Sequence, residues 1–117
     1  MKLYWVTTNE HHEDWFIVAS SSKNASKYHE EMEGYEYGDA KAEEILNIPG
    51  NTAAEEGWPS DELLLAVGAK FLSHNEPRVV ELASRKFCEG MLGSATTRVP
   101  VFCYGTSWQE GTQSRNL

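Results

Sequence analysis

Aliphatic side chains are scarce in this sequence, and the scarcity limits what kind of core the chain can form. Val, Ile, Leu and Phe together account for 23 of 117 residues. That is close to the level below which strongly charged chains fail to collapse. Thirteen aromatic residues (four Trp, five Tyr and four Phe) offset the deficit, because each can bury a large area. A chain of this size forms one domain on the usual size relation and buries roughly two-thirds of its unfolded surface. Residues 1–105 are therefore assigned to a single globular domain, and residues 106–117 to a polar tail expected to be flexible. Collagen, coiled-coil and disulfide-scaffold classes are excluded.

The order of local signals predicts an α+β fold. Lys2 to Thr8 is rich in Tyr, Trp, Val and Thr, which suit a pleated surface. Trp15 to Ala19 is a second short apolar run, and the connection between them predicts an antiparallel hairpin. Ser20, Ser21 and Ser22 offer caps for a helix over 22–33, with Ala25, Tyr28 and Met32 on one face and Gly34 as its stop. Lys41 to Ile48 reads as a third strand running into Pro49-Gly50. Ser60, followed by Asp61 and Glu62, is the strongest helix start in the chain. The stripe Leu64, Val67 and Phe71 extends that helix to about Ser73 and faces the core. Trp58, ahead of Pro59, is expected to staple its entry. Arg78 to Ala83 reads as a fourth strand and Val99 to Tyr104 as a fifth, while 84–92 fits helix or strand. The economical assembly is one mixed, mostly antiparallel sheet of about four to five strands with two main helices packed on one face.

The charge is lopsided. The net charge is −8, and between Glu30 and Glu62 eleven acids face a single base, Lys41. Such a balance argues against direct nucleic-acid binding, which needs clustered Lys and Arg. It suits a partner protein with a basic surface. Within this block Glu30, Glu31 and Glu36 supply charge, and Tyr35 and Tyr37 supply contact area at low entropy cost. These five are the expected partner-binding residues.

Chemical motifs are sparse. His11, His12 and Glu13 form the one cluster suggestive of a metal, since imidazole and carboxylate suit zinc. However, neighbours on an extended chain point to opposite sides, and no His-Glu-x-x-His or paired Cys-x-x-Cys supports it. No nucleophile elbow or phosphate-cradling glycine loop occurs, and no catalytic residue or cofactor is assigned. Adjacent carboxylates such as Glu43-Glu44 read as solvated surface. The longest apolar runs, Leu63 to Val67 and Trp15 to Ala19, fall far short of the ~20 residues a membrane helix needs. Cys88 and Cys103 read as reduced, buried thiols, and the N-terminus shows no signal-peptide pattern. A cytoplasmic setting without membrane association is expected.

Together these features predict a small acidic domain that works by binding another protein. It would act as a regulator, inhibitor or accessory protein of a bacterial or phage kind, with a homodimer as a further option. The alternative is a small metal-dependent or hydrolytic enzyme using His11, His12 and Glu13.

Overall fold

The computed structural model describes residues 1–9, 13–73 and 78–90. Strands β1 (Lys2–Thr8) and β2 (Trp15–Ala19) form the expected antiparallel hairpin, and β3 (Ala40–Asn47) pairs with the other edge of β1. Helix α1 (Ser22–Glu33) lies between β2 and β3 in sequence. The Ser21 hydroxyl caps it by accepting from the Asn24 amide, and Gly34 ends it at φ 81°. There the amides of Gly34 and Tyr35 both bond the Glu30 carbonyl.

Helix α2 is much shorter than its apolar stripe suggests, spanning only Asp61–Ala66. The cause is Gly68 at φ 106°. Its amide bonds the Leu65 carbonyl, and the Ala69 amide bonds the Leu64 carbonyl. That is the paired closure of a glycine-ended helix. Phe71 consequently falls in strand β4 (Lys70–Ser73) rather than on a helix, although it still packs against the core together with Val67. Strands β5 (Arg78–Leu82) and β6 (Arg85–Glu89) complete the described chain, so residues 85–89 are strand. The strand expected over 99–104 and the tail at 106–117 lie outside the described residues.

The single sheet expected from the sequence is not formed. The strands divide into two three-stranded antiparallel sheets, ordered β2-β1-β3 and β4-β5-β6. The two helices do not share one face of a common sheet. One face of β1 and β2 presents Leu3, Trp5, Phe16 and Val18 to Val80, Leu82 and Phe87 of the second sheet and to Leu63 and Leu64 of α2. The opposite face presents Tyr4, Val6, Ile17 and Ala19 to Ala25 and Tyr28 of α1. The physical sign of this arrangement is the unbroken burial of Leu3 to Val6 and of Phe16 to Ala19. A sheet covered on one side alternates between buried and exposed residues, whereas one covered on both sides does not.

Three rings join the sheets. Trp5, Phe16 and Phe87 pack mutually with centroid separations of 4.8, 4.9 and 5.0 Å. Arg85 adds a polar strap across the layers, bonding Glu43 of β3 through two guanidinium nitrogens while its guanidinium carbon lies 4.7 Å from the Phe87 ring centre. The edge of β3 away from β1 pairs with no strand among the described residues, and β3 carries exposed Lys41, Glu43 and Glu44, charges that discourage pairing with another chain.

Cys88, buried on β6, is disulfide-bonded, which corrects its reading as a reduced thiol. Cys103, the other cysteine of the sequence, lies outside the described residues. Alkylation of the unreduced, denatured protein followed by peptide mass spectrometry is expected to leave Cys88 unlabelled, with label appearing only after reduction.

The β5–β6 hairpin turns on Ala83 and Ser84, both left-handed, at φ 54° and 66°. Such tight turns normally use Asn-Gly, and L-residues in that region cost roughly 1–2 kcal/mol each. Ser84→Gly is expected to stabilise the protein by about 1 kcal/mol and raise its melting temperature by roughly 4 °C. A lowered midpoint in thermal denaturation would contradict the turn geometry.

Candidate functional site

The outer edge of β2 is closed at two points and open between them. Trp15 to Ala19 all lie opposite β1, with Phe16 facing Trp5 and Val18 facing Leu3. Asp14 exchanges both backbone hydrogen bonds with Gly90, and Val18 does the same with Gly57. Gly57 has φ 125°, and a Cβ there would meet the Tyr28 hydroxyl at 2.9 Å, so this clip requires glycine. Between the clips the Phe16 amide favours the charged form of the Glu89 carboxyl. Here lies a cleft of about 310 Å³, lined by Trp15, Phe16, Glu33, Trp58, Pro59, Arg78 and Glu89.

Each wall is held by a specific contact. The Trp15 indole N–H donates to Glu13 Oε1 at 2.8 Å. Trp58, expected to staple α2, instead packs edge-on against Tyr28 of α1, with centroids 5.4 Å apart; it remains 43% exposed. Arg78 and Glu89 are cross-strand partners on β5 and β6. The Arg78 guanidinium donates to Glu89 Oε1 at 2.8 Å and to Asp61 Oδ1 at 2.8 Å, and lies over the Phe71 ring. Burial pushes the Glu89 carboxyl above its ordinary range, even though Arg78 and the Phe16 amide pull the other way. Burial opposes the Arg78 charge as well, but its hydrogen bonds and the charges of Asp61 and Glu89 outweigh this and raise its pKa. Glu33, at the end of α1, is also raised, first by loss of solvent and then by the Glu13 carboxylate, with His29 acting in the opposite direction.

The residues predicted to bind a partner are dispersed. Glu30 is only 4% exposed. Its Oε2 accepts from the amides of Gly38 and Ala40 at 2.8 and 3.0 Å, which fastens the 34–39 loop to the start of β3. It belongs to the fold rather than to a contact surface. Tyr35 is half-buried, its ring 5.7 Å from that of buried His29 and its hydroxyl bonded to Thr8. Glu31 and Glu36 are exposed, and Tyr37 is 79% exposed. His11 and His12 lie outside the described residues. Glu13 supports Trp15, and its backbone carbonyl accepts from His29 Nε2 at 2.8 Å. Nε2 is the donor in that contact, since a carbonyl only accepts, and the buried Nδ1 has no hydrogen-bond partner among the described residues. No group of His, Cys, Asp and Glu suited to a metal occurs among the described residues. Glu43 and Glu44 form ion pairs with Arg85 and Lys2.

Sequence reading missed Glu33, Arg78 and Glu89 as neighbours. Their convergence depends on β6 meeting the edge of β2, which no local pattern announces. Trp58 beside Pro59 was the one legible hint.

No protein-family model, curated protein or solved structure matches the chain.

The raised Glu33 carboxyl has a consequence for stability. The folded chain holds this proton more tightly than the unfolded chain, whose Glu titrates near ~4.3. The folded state thus binds more protons once pH exceeds that value, and stability falls as pH rises through the folded pKa. Glu33→Gln removes this loss. Urea denaturation is expected to show the variant gaining on the parent between pH 4 and pH 7, and a constant difference would contradict the assignment.

Proposed function

We propose that this domain binds the basic surface of a partner protein and acts on that partner as a regulator, inhibitor or accessory. The observation that carries this reading is the ridge of Trp58 and Pro59. It is shared by the cleft with Glu33 and Glu89 on one side and by a second hollow, about 320 Å³, with Glu55 and Glu56 on the other. Among the described residues Arg78 is the one base lining either hollow, and its guanidinium is already matched by Glu89 and Asp61. An exposed indole flanked by unmatched carboxylates suits a partner that is basic and partly apolar. Tyr and Trp are favoured anchors at such interfaces.

Exposed Glu31, Glu36 and Glu62 extend the same sign of charge and make no ion pair among the described residues. Long-range attraction from such a surface speeds encounter with a basic partner and is screened over ~8 Å at physiological salt. The same charge repels nucleic acid and disfavours a second copy of this chain on that surface. No helix among the described residues is long and apolar enough to cross a membrane. A cytoplasmic setting loses its support from reduced thiols. The disulfide at Cys88 favours an oxidising compartment, where such bonds persist.

The test is kinetic binding to a short Lys- and Arg-rich peptide at two salt concentrations. Glu55→Lys with Glu56→Lys is expected to slow association and flatten its salt dependence. Folding should be little affected, because exposed substitutions usually change stability by under ~0.5 kcal/mol. Glu31→Lys with Glu36→Lys measures the contribution of the α1 end separately, and Trp58→Ala is expected to speed dissociation. Absence of peptide binding by the parent protein, or a salt slope unchanged by both reversals, would overturn the reading.

A further inference from the structure

We propose that the cleft between Trp15, Trp58 and Glu33 receives a single organic monocation, the guanidinium or ammonium end of a basic side chain. This rests on the reading of the domain as a binder of basic protein surfaces and assigns that surface its anchoring residue.

Size is the first argument. At about 310 Å³ the cleft lies at the lower limit of small-molecule sites, enough for the end of one side chain. Its walls are the second. Two indoles and Pro59 line the space, and Trp is the aromatic side chain that best attracts a cation held near its ring. Both indoles are positioned before any ligand arrives, Trp15 by Glu13 and Trp58 by Tyr28. Less ordering is then required on binding.

The charge balance is the third argument and fixes the class of occupant. Of the three charged side chains that line the cleft among the described residues, Arg78 and Glu89 neutralise one another through a pair 2.7 Å apart. Arg78 spends a further nitrogen on Asp61. Glu33 makes no ion pair among the described residues. One carboxylate therefore stands without a counter-charge among the described residues, beside two indoles, where partial exclusion of water strengthens its attraction for a single positive charge. An anion would be repelled by Glu33. A neutral sugar or alcohol would leave that carboxylate uncompensated.

The experiment uses small probes in place of the partner. Propylguanidinium and butylammonium are titrated into the full chain at pH 7.5, with propylurea as the neutral counterpart of the guanidinium. The indole N–H signals of Trp15 and Trp58 are followed by NMR. The cations are expected to shift both signals saturably with roughly millimolar affinity, as suits probes of so few atoms, and propylurea is expected to bind at least about tenfold more weakly. Glu33→Gln should remove that preference while the spectrum stays folded. Trp58→Ala should weaken cation binding by about tenfold, with Trp58→Phe restoring part of it. Equal affinity for the guanidinium and the urea, preference for a monosaccharide, or undisturbed indole signals would each overturn the proposal. Small cations that bind when the basic peptide does not would sink the protein-partner reading and leave the cleft assignment standing. Peptide binding that leaves Trp15 and Trp58 undisturbed would do the reverse.

Discussion

The contact among Trp5, Phe16 and Phe87 is the joint on which the rest of this structure depends. Each sheet has three strands among the described residues, and a small sheet needs a partner to cover its apolar face. With so few aliphatic residues, that cover comes from three rings meeting at tilted and edge-on angles of 58° to 63°. Such pairs add about 0.5–1.5 kcal/mol beyond the area they bury. Losing one of these rings costs about 3–5 kcal/mol, a large fraction of the ~5–15 kcal/mol that holds a typical domain together.

The same joint creates the cleft. Phe16 and Phe87 bring β6 against β2, so Glu89, two residues beyond Phe87, is carried to the open edge at Phe16. A buried carboxylate there would be costly alone. It is tolerated because Arg78, directly opposite on β5, neutralises it and because the Phe16 amide favours its charged form. The edge of β2 is thus clipped at two glycines, and the space between the clips is lined by Trp15, Trp58 and the charged side chains of Glu33, Arg78 and Glu89. Core packing and site geometry follow from a single docking event.

Glycines decide where elements stop. Gly68 truncates α2 and turns the chain into β4, which divides an apolar stripe between helix and strand. Gly57 lets the loop before α2 approach β2 beneath the Tyr28 hydroxyl. Trp58, the next residue, is then held above the cleft against that same tyrosine. Shortening α2 and positioning Trp58 both follow from backbone conformations that a side chain would oppose.

Three elements were determined closely by the sequence alone. The boundaries of β1, β2 and α1 follow from β-favouring runs, a serine cap and Gly34, all of which act within a few residues. The start of α2 was legible for the same reason, through Ser60 and the two acids behind it. The β5–β6 hairpin was not, because Ala83-Ser84 lacks the usual turn residues and is held left-handed by the pairing of its strands. The division into two sheets was also hidden, although the unbroken apolar runs of β1 and β2 carried its trace. Glu30 illustrates the deeper limit. Its charge suggested a surface, yet two backbone amides eight and ten residues away draw it inside. Only the tertiary structure set that choice and assembled Trp15, Glu33, Trp58, Arg78 and Glu89 around one cleft. Burial and charge compensation depend on residues distant in sequence, and no local pattern encodes which distant residues will meet.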